Sequence, residues 1–274
     1  MTATPFGEIP GTSPLAPDYP TARGRFLAGA EAVGAAVEHH RIEGTGPSGE
    51  DLVVDVAVVG PADAPNRVFV VSGTHGIEGY AGSLCQSRWL EGLVAGDGSA
   101  IEAPDGVAVV LMHAHNPYGF AWWRRVNEDN IDLNRNYLPG AERPANEGYD
   151  TLAEVLAPPS LDPEVLGGLD TQLVAYAAEH GMAAVQAAVS NGQYDHPDGI
   201  FYGGRGPTRS QEVMFEVIER HLVGAERVVV LDLHTGLGPW GEVEIICGAG
   251  TPDDETERVR TWWGDHPIGI QETG

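Results

Sequence analysis

Lysine is absent from this 274-residue chain, so all 15 of its basic residues are arginine. We read this as a high-GC codon bias, and neither Arg125 nor Arg135 is singled out merely for not being lysine. Positive charge is scarce in any form. Forty acidic residues against 15 basic ones give a formal net charge of −25. A surface that acidic repels nucleic acid and anionic membrane, so neither is expected as a partner. Cysteine is almost missing too. Cys85 and Cys247 are too few for a disulfide framework in a chain of this length, and both are expected to be reduced and buried. No stretch approaches the ~20 apolar residues of a membrane span. The N-terminus, MTATPFGEIPGTSPLAPDYPTARGRF, lacks a basic region followed by an apolar run and is not expected to be a signal peptide. A cytoplasmic location is the default expectation.

What remains is an ordinary globular balance, 42% hydrophobic and 20% charged, long enough for one large α/β domain. After some twenty Pro-, Ser- and Thr-rich residues, the Ala-rich segment 21–40 has apolar spacing near 3.6 and predicts a helix. DLVVDVAVVG (51–60) and RVFVVS (67–72) predict strands. SLCQSRWLEGLV (83–94) predicts a helix, and GVAVVLMHAHNP (106–117) a buried strand broken at Asn-Pro. A helix is expected over 170–189, and ERVVVLDLHTG (226–236) is the last clear strand. The alternation argues for an α/β fold with a mixed, mostly parallel central sheet and helices on both faces. In such sheets the site lies beyond the carboxyl ends of the strands.

Three segments that follow predicted strands carry chemistry. His75 and Glu78 stand three residues apart in a glycine-rich turn (Gly73, Gly76, Gly79). Zinc accepts imidazole nitrogen and carboxylate oxygen, and a His₂Glu set leaves one position for water. His234 ends LDLHTG and could complete that set. Asp232, two residues earlier on an extended strand, points to the same side and could orient it. His113 and His115, also at a strand end, are alternative ligands. The third segment, RRVNEDNIDLNRNY (124–137), is dense in Asn and Arg, side chains that jointly grip a carboxylate or stabilise an oxyanion.

THGIE, RRVNEDNIDLNRNY and LDLHTG, in this order, resemble the M14 zinc carboxypeptidase superfamily. GTHGIEGYAGS, HNPYGFAWWRRVNEDNIDLNRNY, YDHPDGIFYGG and LHTGLGPWGE resemble more closely its bacterial DUF2817 branch. The resemblance runs from about residue 20 to about 264. It implies that His75, Glu78 and His234 bind Zn²⁺, that Asn134 and Arg135 hold a substrate carboxylate, and that Arg125 polarises the scissile carbonyl, with Arg124 as the competing assignment. The implied activity is zinc-dependent hydrolysis of an amide bond adjacent to a free carboxylate, on a small peptide. Deacylation of an N-acyl amino acid, as in the aspartoacylase and succinylglutamate desuccinylase branch, is the alternative.

One departure matters. The superfamily's general-base Glu, carried in DUF2817-like chains by a segment like E-F-G-T, has no counterpart before the chain ends in GDHPIGIQETG. Neither Glu242 and Glu244, expected on a strand after His234, nor Glu272 has the motif. A single carboxypeptidase-like domain lacking its C-terminal part is therefore expected, with a sheet edge that a homo-oligomer could cover. A metal-binding protein without catalysis is the third reading.

Overall fold

The computed structural model describes residues 15–98, 100, 102–136, 143–236, 239, 241–247, 252–264 and the backbone of 268–270. The chain divides into two compact units, 1–234 and 235–274.

The first unit opens with helix α1 (Tyr19–Ala32), capped by the Asp18 side chain on the Thr21 amide. The sequence predicts helix as far as residue 40. The helix instead stops near Gly34, whose φ of +69° ends it, and residues 36–40 begin strand β1 (Ala36–Thr45). Strand pairing overrides the alanine-rich propensity there, since Ala36–Arg41 lie antiparallel to Val53–Val58 of β2 (Asp51–Val59). Strands β3 (Asn66–Ser72), β4 (Val107–His113) and β5 (Arg227–Leu233) follow the predicted runs closely.

The sheet order is β1-β2-β4-β3-β5. It is mixed: β3 is parallel to both β4 and β5, while β1-β2 and β2-β4 are antiparallel. The three site-bearing strands are thus parallel, and a hairpin extends the sheet on the far side. Period-2 alternation sends Val54, Val56, Phe69, Val71, Val110 and Met112 to one face, against α7 (Arg209–His221). Ala57, Val109 and Leu111 go to the other, against Phe26 of α1 and Leu90 of α2 (Gly79–Ala95). Helices therefore cover both faces. β5 is an edge of this sheet, with Val228 and Val230 exposed.

Between β4 and β5 lie α3 (Pro117–Trp122), α4 (Glu147–Leu156), α5 (Pro163–His180), α6 (Met182–Ser190) and α7. The helix expected over 170–189 is two helices, because Gly181 at φ +87° breaks it. Cys85 and Cys247 are both free. Cys85 is exposed rather than buried, since the inward stripe of α2 runs through Gly79, Gly82, Ser83, Gln86, Ser87 and Leu90 and leaves position 85 outside it.

The second unit contains β6 (Ile245–Cys247) and β7 (Ile268–Ile270), paired in parallel, and α8 (Asp253–Trp263). Glu242 and Glu244 precede β6 rather than lying on a strand. Tyr137 and Glu272 lie outside the described residues.

Candidate metal centre

The parallel strands β3, β4 and β5 deliver three turns to one end of the sheet. After β3, His115 N–H donates to Ser72 O and Asn116 N–H to Gly73 O, so the β3 and β4 exits stay zipped together. Gly73 adopts φ +70°, which turns the chain sharply into His75. Gly76 then allows a contact no other residue would. A Cβ there would sit 1.9 Å from the Gly119 carbonyl carbon and 2.2 Å from the Phe120 nitrogen. This close approach packs the 76–78 turn onto α3, and the Ile77 amide donates to Arg124 O.

The turn places His75 and Glu78 beside His234, with one ligand atom from each lying within 4.8 Å of the others. Glu78 meets both imidazoles: its Oε1 lies 3.1 Å from His75 Nδ1 and its Oε2 3.2 Å from His234 Nδ1. The opposite nitrogens are held by further carboxylates. His234 Nε2 is 2.9 Å from Asp232 Oδ2, and His75 Nε2 is 3.3 Å from Asp132 Oδ1, close but off the angle of a hydrogen bond.

Such a nest calls for positive charge. Burial alone would lower the pKa of His234, but the bonds to Asp232 and Glu78 overcome it and push it up to about 10. His75 is likewise raised: Asp132 and Glu78 outweigh burial. Glu78, Asp132 and Asp232 thus favour the protonated form of both imidazoles. A divalent ion satisfies the same demand. Two imidazole nitrogens and a carboxylate oxygen, all within 4.8 Å of one another, are the ligand types that a catalytic zinc takes. The donor set fits zinc.

Asp132 organises the site more than its sequence context suggests. It is fully buried. Its Oδ1 caps the 133–135 turn through the Asn134 amide at 3.0 Å, and its Oδ2 accepts from Arg125 Nε at 2.8 Å. Burial would raise its pKa, but the neighbouring His75 imidazole and the Arg125 charge bring it down to about 2. Arg125 thus sits one carboxylate away from His75, with no other hydrogen bond on its guanidinium among the described residues. Arg124 has an exposed side chain and contributes its carbonyl. Asn134 is exposed. Arg135 is anchored by backbone: Nε and Nη2 donate to Ser190 O at 3.2 and 2.6 Å, and Nη1 to Asn134 O at 3.1 Å. One N–H on each terminal nitrogen stays uncommitted.

The alternative ligands go elsewhere. His113 is buried, stacked on Phe26 at 4.6 Å, with Nε2 2.7 Å from Ser83 Oγ. Burial lowers its pKa to about 4. His115 stands behind the site. Its Nδ1 lies 3.3 Å from Thr74 Oγ1, which donates to Asp232 at 3.0 Å, so His115, Thr74 and Asp232 form a chain ending on His234. His196 bonds Asp150 of α4 at 2.7 Å.

An α/β sheet with an imidazole–carboxylate cluster at the ends of its parallel strands places this chain among carboxypeptidase-type folds. Carboxypeptidase A from Helicoverpa armigera superposes with a TM-score of 0.50 at 14% identity, over 92% of this chain and 57% of that one. A succinylglutamate desuccinylase/aspartoacylase family protein from Shewanella amazonensis matches at TM-score 0.43 and 20% identity, over 85% and 53%. Thrombin activatable fibrinolysis inhibitor matches at TM-score 0.47 and 12% identity, over 92% and 58%. The chain therefore spans little more than half the length of these solved relatives. No curated protein matches its sequence. The family profile described as "Protein of unknown function (DUF2817)" matches residues 15–274, and the chain belongs to that family. Among the described residues no helix is long and apolar enough to cross a membrane.

Proposed function

We propose that this chain carries the metal centre of a zinc-dependent hydrolase that cleaves an amide bond next to a free carboxylate. The observation that carries this reading is Glu78 spanning the Nδ1 atoms of His75 and His234, with a carboxylate behind each imidazole. When bound, zinc supplies a Lewis acid and a water whose pKa falls toward ~7. The chain's own groups do the rest. Asp132 and Asp232 face the Nε2 atoms and would leave each Nδ1 free to hold the ion. Arg125, held at Nε by Asp132, keeps its terminal N–H groups for the carbonyl oxygen, where negative charge develops. Arg135 offers its remaining N–H groups, with Asn134 beside it, to the substrate carboxylate. In a chain of net charge −25 these arginines offset the repulsion an anionic substrate would otherwise meet.

Elemental analysis of the purified chain beside a His234→Ala variant tests the centre. About one zinc per chain, lost in the variant, is expected. A folded chain that takes up no zinc when it is supplied refutes the proposal. For the substrate, a panel of peptides and N-acyl amino acids separates the carboxypeptidase reading from the deacylase one. On whichever is turned over, Arg135→Ala should raise KM at least about tenfold, and an unchanged KM removes Arg135 from carboxylate binding.

A further inference from the structure

The segment YDHPDGIFYGG (194–204) has no part in the chemistry above, yet it is clamped onto the residues that do. Asp132 N–H donates to Tyr202 O at 2.7 Å, Tyr194 Oη to Arg135 O at 2.8 Å, and Asn130 Nδ2 to Pro197 O and Gly199 O. Gln193, nearly fully buried, holds the loop from inside through its bonds with Phe201 O, His196 O and the amides of 195 and 196. This framework presents one aromatic ring. Phe201 adopts φ +54°, a left-handed conformation that a bulky side chain disfavours. Glycines stand at 199, 203 and 204, but not at the strained position. The Phe201 ring lies 4.8 Å from the Arg125 guanidinium carbon and 5.8 Å from that of Arg135.

We propose that Phe201 is the positioning residue that fixes both arginines for one substrate. The inference rests on the reading of Arg125 and Arg135 as substrate-binding groups. Its physical core is donor economy. A guanidinium can be fixed by hydrogen bonds, but each one consumes an N–H that a substrate oxygen would use. A π-face fixes it by its own face and consumes none. Arg125 is held at its Nε edge by Asp132 and lies over the Phe201 ring, which leaves both terminal nitrogens for the ligand. Arg135 is held by Ser190 O, Asn134 O and the same ring. In a chain with 40 acidic residues, Arg135 pairs with no carboxylate among the described residues, so its charge is left for a ligand. A ring shared by both arginines also couples them, so that a shift at the carboxylate end is felt beside His75.

The test uses the 274-residue, zinc-supplemented chain and Phe201→Leu, which keeps apolar bulk without a π-face, with Phe201→Tyr as the conservative rescue. Two readouts are taken: the Nε–Hε NMR signals of Arg125 and Arg135, and binding of hippurate, an N-acyl amino acid with a free carboxylate. With thermal stability preserved, Phe201→Leu should move both arginine signals, remove the upfield ring-current shift on Arg125, and weaken hippurate roughly tenfold; Phe201→Tyr should restore both readouts to within roughly threefold of wild type. Arginine signals that change by no more than the lost ring current, with the Nε–Hε exchange rates unchanged, overturn the proposal, whatever happens to hippurate. If Nε–Hε exchange quickens at both arginines but wild type does not bind hippurate, the positioning role stands and the carboxylate reading of the arginines falls.

Discussion

Acid should destabilise this protein through an imidazole that takes no part in the metal centre. His113 is fully buried between Phe26 and Ser83, and burial lowers its pKa to about 4. In the unfolded chain the same group titrates near 6.5. Above pH 6.5 both states are neutral and His113 adds no pH dependence. As the pH falls below 6.5 the unfolded state takes up a proton that the folded state refuses, so stability is lost, and the loss levels off below pH 4. The gap between the two pKa values corresponds to about 3 kcal/mol, of which about 2 kcal/mol is lost between pH 7.0 and 4.5. The comparison is a double variant, His113→Phe with Ser83→Ala, which keeps the stack on Phe26 and leaves no orphaned hydroxyl. Urea unfolding of both chelator-treated proteins at the two pH values gives the difference directly. Wild type should lose about 2 kcal/mol more than the variant, because His115 and the carboxylates are common to both and cancel. Parallel stability–pH curves would refute the assignment of His113 as a neutral buried group.

Two further perturbations probe the scaffold of the site. Asp132→Ala leaves the Arg125 Nε and the Asn134 amide without their acceptor, and should cost about 3 kcal/mol in urea unfolding and weaken zinc roughly 10- to 100-fold by competition with a chelator. Unaltered zinc affinity would show that Asp132 does not orient His75. Gly76→Ala drives a methyl into the backbone of Gly119 and Phe120 and should cost about 3 kcal/mol or more, whereas Gly24→Ala, with nothing within 4 Å on α1, should be stabilising by up to about 1 kcal/mol. A Gly76→Ala variant as stable as Gly24→Ala would mean that the 76–78 turn does not need its close approach to α3.

The strands that carry the site were legible because they are continuous β-branched runs, and each ends in a conspicuous polar turn. RVFVVS and RVVVLDL became parallel neighbours with His75 and His234 just beyond them. Helix boundaries were less legible. Residues 36–40 have helical composition but enter a strand, because pairing with Val54–Val58 of β2 supplies hydrogen bonds that no local pattern reveals. The break at Gly181 was marked by a glycine inside an apolar pattern, a signal too common to be decisive alone. Asp232 could be placed beside His234 from strand alternation. Asp132 could not be placed beside His75, since its role depends on a contact across 57 positions of sequence with no shared element. Phe201 was hidden for the same reason: a lone aromatic in a glycine-rich loop carries no period, and its meaning lies only in what it touches.

The 156 positions between Glu78 and His234 also set an order of events during synthesis. At roughly 5–20 residues per second, His75 and Glu78 leave the ribosome some 8–31 s before their partner. β4 can pair with β3 early in that interval, but the other edge of β3 has no neighbour until β5 arrives. Through this interval the nascent chain displays an open strand edge, with His75 and Glu78 at its end and His234 still to come. Because β3 and β5 are parallel and far apart in sequence, their pairing is slow to form on topological grounds.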